Sequence, residues 1–330
     1  MKIQMYSVRP DEQAAITAWA EQNQATITTS NQPLNSQTVS LANGSDAVVV
    51  AQHGALTADV YQQLATFKIH ILALRITGYD IIDFAAAKQY GIQVTNVPAY
   101  SPRSVAEEAL THTMVLLRHL KATQLRMAHH DYSWGGLEAY EIHHLTVGIL
   151  GAGKIGGTVA RIFKALGAKV IAHDLVERPE LADTLTYVSL DELLTQSDVL
   201  TIHTNLTDLT THIIDTDALA KMKSTALLIN CARGPIVDLA ALLHALDTNE
   251  IAGAGLDTVE GEAGVFGDDL SHANQDLSIF DNLLRRENVS LSPHIGFYTD
   301  QAVKNMVEIA LNDASLLFQG KKSPHLLPEK

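Results

Sequence analysis

A two-domain protein of the parallel-sheet α/β class, one domain inserted in the other, is what this chain predicts, on three observations. The first is a glycine turn, Gly151-Ala152-Gly153-Lys154-Ile155-Gly156, placed directly behind the apolar run Thr146-Val147-Gly148-Ile149-Leu150. The second is a first hundred residues in which short apolar runs alternate with helical patterns. The third is a final amphipathic helix that leaves the glycine-bearing region with an apolar face still to bury.

Strands are expected at residues 2–8, 46–51, 69–75 and 92–97, with a weaker one at 25–29. Helical stretches such as 57–66 and 82–90 lie between them, the rhythm of a parallel sheet covered by helices. Ser101-Pro102 then reads as an N-cap followed by proline at the first helical position. Val105, Ala109, Thr113, Leu116 and Leu120 recur at helical spacing, which predicts one long helix to about Leu120. After the glycine turn, strands follow at 199–203, 226–230, 253–257 and 289–292. A last helix at 299–318 carries Val303, Met306, Val307, Ala310 and Leu317 on one side. The inserted domain is therefore 101–298, and 1–100 with 299–330 form the other. Hinges near Tyr100 and Tyr298 would frame a cleft where catalytic groups gather.

Bulk properties agree with a globular, two-domain chain: 330 residues, 46% hydrophobic and 18% charged. No stretch approaches an apolar membrane span, and the N-terminus has no signal-peptide architecture. The single Cys231 rules out an internal disulfide, which fits a reducing cytoplasm. A net charge of −14 disfavours nucleic acid and anionic membranes as partners.

The glycine turn carries the first chemistry. Gly151 permits the tight turn, Gly153 lets backbone approach a pyrophosphate, and Gly156 lets the following helix pack on the sheet. The helix N-terminus offers free N–H groups and a positive dipole end to phosphates. Asp174 ends the next apolar run, Lys169-Val170-Ile171-Ala172-His173, eighteen residues beyond Gly156. Its carboxylate accepts from ribose hydroxyls and repels a 2′-phosphate, so NAD is favoured over NADP. A glycine turn alone would also serve as a plain connection; the flanking strands and the spaced acid argue for the cofactor.

Three polar residues follow later apolar runs: Arg233 after Ala226–Ala232, Glu262 after Gly255–Gly261, and His294 after Val289–Pro293. Reduction of a 2-oxo acid needs such a set. A guanidinium pairs with the carboxylate and polarises the carbonyl. An imidazolium protonates the oxygen as hydride arrives. A carboxylate bonded to an imidazole orients it and favours its protonated form. Taken singly, the arginine is equally a surface ion pair and the histidine a satisfied core group. Together, downstream of a cofactor turn, they point to a dehydrogenase.

At these residues the chain resembles the D-isomer-specific 2-hydroxyacid dehydrogenases, over nearly its whole length. The stretches that carry the resemblance are Asn96-Val97-Pro98-Ala99-Tyr100-Ser101-Pro102, the glycine turn, Asn230-Cys231-Ala232-Arg233-Gly234, Gly255-Leu256-Asp257 through Glu262, and Ser292-Pro293-His294-Ile295-Gly296. Gly261–Phe266 and Tyr298-Thr299 are similar to the D-lactate and D-2-hydroxyisocaproate dehydrogenase branch. The resemblance implies a flavodoxin-like substrate domain, a Rossmann-type cofactor domain, NAD and a homodimer. It implies Arg233, Glu262 and His294 as the catalytic set, with Asp257 near the nicotinamide. Thr204, Asn205, Cys231 and Ala232 would join the glycine turn and Asp174 around the cofactor. Ala51, Thr77, Gly78, Tyr100, Phe297 and Met306 would join Arg233 and His294 around the substrate.

The departures from that branch carry information. An aromatic residue commonly stands where this chain has Ala51, so space for branched or aromatic 2-oxo acids is expected, unless Gln52 or His53 refills it. Ile76 replaces the usual asparagine before Thr77-Gly78, and Asn205 the usual proline. The pairs His129-His130 and His143-His144 lack metal-site spacing, so no metal is expected. Cys231 reads as a small packing residue and Asp268-Asp269 as a solvated loop. The rival reading is a non-catalytic NAD sensor on the same fold; no basic patch or disordered tail supports it.

Overall fold

The computed structural model describes residues 1–52 and 54–327, so His53 lies outside the described residues. The chain forms two compact units, Met1–Ser101 with Tyr298–Lys330, and Pro102–Phe297.

The first unit begins β1 (Lys2–Tyr6), α1 (Gln13–Asn23), β2 (Thr26–Thr29), β3 (Ala47–Val50), α2 (Ala58–Thr66), β4 (Ile71–Leu74), α3 (Phe84–Gln89) and β5 (Gln93–Thr95). All five strands are parallel, in the order β2-β1-β3-β4-β5. That is the flavodoxin-like order, with its switch point between β1 and β3. The runs Ala47-Val48-Val49-Val50 and Ile71-Leu72-Ala73-Leu74 are buried along their whole length, as strands covered on both faces must be. Arg75, just past β4, is fully buried: its Nε and Nη2 each donate to Glu12 at 3.1 Å, and further bonds reach the Tyr6 and Ser7 carbonyls. This pair locks the end of β4 to the end of β1. Neither its burial nor its partner, 63 residues away, was visible from the strand pattern.

The second unit runs α4 (Pro102–Leu117), α5 (Leu120–Ala128), β6 (Thr146–Leu150), α6 (Lys154–Ala165), β7 (Lys169–His173), β8 (Thr186–Tyr187), α7 (Leu190–Gln196) and β9 (Val199–Ile202). It continues through α8 (Thr216–Lys221), β10 (Leu227–Asn230), α9 (Leu239–Asp247), β11 (Gly253–Leu256), α10 (Ser278–Arg285) and β12 (Val289–Leu291). Its seven parallel strands take the order β12-β11-β10-β9-β6-β7-β8. The strand order reverses at β6, the strand that feeds the glycine turn, as in Rossmann-type sheets.

One expectation is corrected. The helix from Pro102 does not continue to Leu120 but stops at Leu117, and a second helix starts at Leu120. His119 between them takes a left-handed backbone, φ 48°. Apolar spacing persists across the break, so periodicity alone could not locate it. After the second unit the chain returns to the first as α11 (Asp300–Phe318), capped by the Thr299 hydroxyl, which accepts from the Ala302 N–H. Val307, Ala310, Leu311, Ala314 and Leu317 of α11 pack with Ile3, Met5, Trp19, Val49 and Ala73, which answers the unpaired apolar face.

Candidate active site

The glycine turn has the geometry a dinucleotide needs. Gly151 takes φ 93°, and a Cβ there would fall 2.7 Å from the Thr204 nitrogen. A Cβ at Gly156 would fall 2.0 Å from the Gly151 carbonyl oxygen, so α6 packs against the turn only because position 156 is bare. At Gly153 a Cβ would meet nothing within 4 Å among the described residues, leaving an open backbone face at the start of α6. Gly153 is the N-cap and supplies no side-chain cap, so the first N–H groups of α6 are left for a ligand.

Asp174, half-buried at the end of β7, closes the other side of this turn. Its Oδ2 accepts from Ala152 N–H at 2.7 Å and its Oδ1 from Val176 N–H at 3.0 Å. Each oxygen keeps further acceptor capacity for a ribose hydroxyl. The residues present therefore fit NAD: an uncapped helix start for the pyrophosphate and a fixed acid for the ribose. Thr204 backbone flanks the turn, while Asn205 is exposed and accepts from the Thr210 hydroxyl at 2.7 Å. Lys154 is exposed and Ile155 half-buried.

His203, beside the turn, went unnoticed in the sequence. Its Nε2 pairs with the Thr201 hydroxyl at 2.8 Å. The residue as a whole is only half-buried, yet its ring Nδ1 is sealed from water without a partner among the described residues. Burial pushes its pKa down to about 3, so the ring is neutral at physiological pH.

The three expected catalytic residues all lie in the second unit, beyond the C-terminal ends of its strands. His294 Nδ1 meets Glu262 Oε1 at 2.6 Å, and Glu262 Oε2 accepts from Val259 N–H at 2.7 Å. Among the described residues, His294 Nε2 has no protein partner. His294 takes a left-handed backbone, φ 56°, a strain on the order of 1–2 kcal/mol for an L-residue. Asp257 offsets that strain. Its carboxylate accepts from Ile295 N–H at 2.8 Å and Gly296 N–H at 2.9 Å, and its carbonyl from His294 N–H at 2.8 Å.

Arg233 reaches the same region through its neighbour. A Cβ at Gly234 would fall 2.2 Å from the Val259 carbonyl carbon, so bare backbone brings the Arg233 segment against the Val259–Glu262 turn. Asn230 at the end of β10 ties the segment, accepting from Ala232 N–H and donating to the Arg233 carbonyl, each at 3.0 Å. Among the described residues, the guanidinium itself is held only by a 2.7 Å bond from Nη1 to the adjacent Ala232 carbonyl. Cys231 is buried, and burial pushes its thiol well above the ordinary range, reinforced by Asp257 and Glu108. Its side chain packs into the hydrophobic core of the second unit.

Residues expected around the substrate in the first unit lie in the segments after three strands and on one helix. Ala51 follows β3 at the switch point of the five-stranded sheet, half-buried. Thr77 is clamped by the segment after β5: its hydroxyl donates to Val97 O at 2.8 Å, and its carbonyl accepts from Asn96 Nδ2 at 2.6 Å. Gly78 and Tyr100 are half-buried, and the Tyr100 carbonyl accepts from Asn305 of α11 at 2.6 Å. Met306 is almost wholly buried in α11. Phe297, in the second unit, is half-buried. The His143-His144 pair is exposed beside Glu141, with ligand-type atoms within 4.8 Å of one another.

Residues 110–296 match the NAD binding domain of the D-isomer specific 2-hydroxyacid dehydrogenases. The chain belongs to that family. It is 40% identical over 326 residues to the D-lactate/D-glycerate dehydrogenase of Pediococcus acidilactici, covering 98% of each chain. It is 37% identical over 312 residues to an aromatic 2-oxoacid reductase of Clostridium sporogenes, covering 94% of each. The NAD-complexed structure of a D-isomer specific 2-hydroxyacid dehydrogenase from Lactobacillus delbrueckii ssp. bulgaricus matches with TM-score 0.91 and 42% identity, over 99% of this chain and 100% of that one. This 2-hydroxyacid dehydrogenase is accordingly an NAD-dependent oxidoreductase of the CH–OH group. No helix among its described residues is long and apolar enough to cross a membrane.

Proposed function

We propose that the enzyme reversibly reduces a 2-oxo acid to its D-2-hydroxy acid, with His294 as the proton donor in reduction and acceptor in oxidation. NADH, when bound, supplies the hydride for the carbonyl carbon. The observation that carries this reading is the 2.6 Å pairing of Glu262 with His294 Nδ1, which leaves Nε2 as the atom to exchange a proton with the carbonyl oxygen. Glu262 orients the ring through its contact with Nδ1. Arg233 pairs its planar fork with the substrate carboxylate and draws charge toward the carbonyl oxygen. In the first unit, Thr77 and Gly78 lie on a turn fixed by Asn96 and Val97, whose backbone N–H groups are the donors expected for a carboxylate.

Substrate size follows from Ala51. A small residue at the switch point of the five-stranded sheet opens apolar volume, which favours branched or aromatic 2-oxo acids over pyruvate. One methylene of pocket contact is worth only about 1–3 kcal/mol, so several must act together for strong discrimination. A spectrophotometric NADH-oxidation panel tests both parts. Oxidation with phenyl-bearing or branched 2-oxo acids exceeding that with pyruvate, with a D product, is expected. A clear preference for pyruvate would remove the size argument, and inactivity on every 2-oxo acid would remove the dehydrogenase reading in favour of an NAD sensor.

The same reading takes the chain as a homodimer of the cytoplasm. Leu125, Met127, Tyr132, Trp134 and Tyr140 are exposed on α5 and the loop after it, Trp134 at 89%, apolar side chains that a second copy would cover. A single-chain mass in solution would contradict it.

A further inference from the structure

We propose that His112 is a positioning residue for the acid–base histidine, acting through a hydrogen-bond relay that runs from Ser290 to the Asp257 carboxylate. The inference rests on the reading of His294 as the proton donor. Nothing in the sequence pattern singled out α4 for a part in this chemistry.

One face of α4 carries Ser104, Glu108 and His112, four residues apart in turn, and all three meet the Ser292–Gly296 segment or its anchor. Ser104 Oγ donates to the Gly296 carbonyl at 2.5 Å. His112 Nδ1 lies 2.8 Å from Ser290 Oγ, and its Nε2 lies 3.0 Å from Ser292 Oγ. Ser292 Oγ in turn donates to Asp257 Oδ1 at 2.6 Å. Two glycines make this approach possible. A Cβ at Gly255 of β11 would fall 2.6 Å from His112 Cβ. A Cβ at Gly296 would fall 2.8 Å from Asp257 Oδ2 and 3.3 Å from Glu108 Cβ.

The direction of the relay follows from donor and acceptor counting. Ser292 has one hydroxyl proton and gives it to Asp257, so His112 Nε2 must donate to the Ser292 oxygen. The ring then accepts the Ser290 proton at Nδ1, which requires the neutral form, and burial holds the His112 pKa below its ordinary value. Glu108 sits 3.4 Å from His112 Nε2 and also reaches Ser292, a rival acceptor for the Ser292 proton. Burial and the Asp257 charge raise the Glu108 pKa, so a charge on Glu108 is disfavoured and its pull on that proton is weakened. Asp257 is thereby kept aimed at the N–H groups of Ile295 and Gly296, the bonds that hold His294 in its left-handed backbone.

The test compares His112→Leu, His112→Gln, Ser292→Ala and His294→Gln for kcat, KM for a 2-oxo acid, NADH affinity by fluorescence, and Tm. Misplacing a proton donor by a fraction of an ångström predicts kcat lowered roughly 10- to 100-fold in His112→Leu and Ser292→Ala. NADH affinity should stay near wild type in both. His112→Gln, which keeps one donor and one acceptor, should recover most of the rate. If His112→Leu fails to fold, Ser292→Ala carries the test alone, since it removes only a hydroxyl. Wild-type kcat in Ser292→Ala, or a His112→Gln enzyme as slow as a folded His112→Leu, overturns the relay. An active His294→Gln would instead overturn the acid–base reading itself, and an inactive one beside unimpaired relay variants would sink the relay alone.

Discussion

In the active site proposed above, two halves are built to different standards of rigidity. On the proton-transfer side, His294 is fixed at its ring by Glu262 and at its backbone by Asp257, with α4 behind both. On the anion-binding side, the Arg233 backbone is tied by Asn230, yet among the described residues its guanidinium rests only on the carbonyl of the residue before it. The difference has a physical reason. A proton must cross to one lone pair of one oxygen, so ring orientation has to be set beforehand, and a strained backbone is tolerated to set it. A guanidinium has five donors on a flexible stem, and a substrate carboxylate supplies the partner that organises it. Resting on a neutral carbonyl in the meantime, the fork is easily displaced.

That contrast can be broken at either end. The largest effect is expected from His294→Gln, which keeps size and polarity but cannot transfer a proton. Loss of a general acid should lower kcat on the order of 10²- to 10⁴-fold while NADH binding is unchanged. Fluorescence titration and initial rates check both, and turnover near wild type would remove His294 from the reaction. A smaller loss is expected from Arg233→Lys. An ammonium keeps the charge but not the two-point fork, so KM for the 2-oxo acid should rise by about 10-fold, with a lesser fall in kcat. Unchanged KM would mean that the carboxylate is held elsewhere, for instance by the Thr77–Gly78 backbone alone.

Much of this arrangement is written locally. The fingerprint glycines and Asp174 are legible because each answers a steric or electrostatic demand within a single strand–turn–helix–strand unit. Arg233, Glu262 and His294 follow apolar runs, where a parallel sheet displays its functional groups. The structure pairs two of them directly. What escaped the sequence depends on long-range approach. Glu12 and Arg75 are 63 positions apart, and His112 meets Ser292 across 180. Gly255 and Gly296 look unremarkable until the side chains of α4 come against them. The break at His119 was hidden for another reason: a left-handed turn made by a histidine leaves the apolar spacing intact and carries no glycine to announce it.

The most direct test of the contrast is a structure of the enzyme with NADH and oxamate, a carboxylate that mimics the 2-oxo acid. The account predicts that the Arg233 guanidinium leaves the Ala232 carbonyl for a two-point contact with the oxamate carboxylate. The His294–Glu262 pair and the Asp257 bonds should remain where they are. A guanidinium still on Ala232, or an imidazole that moves to find its substrate, would contradict it.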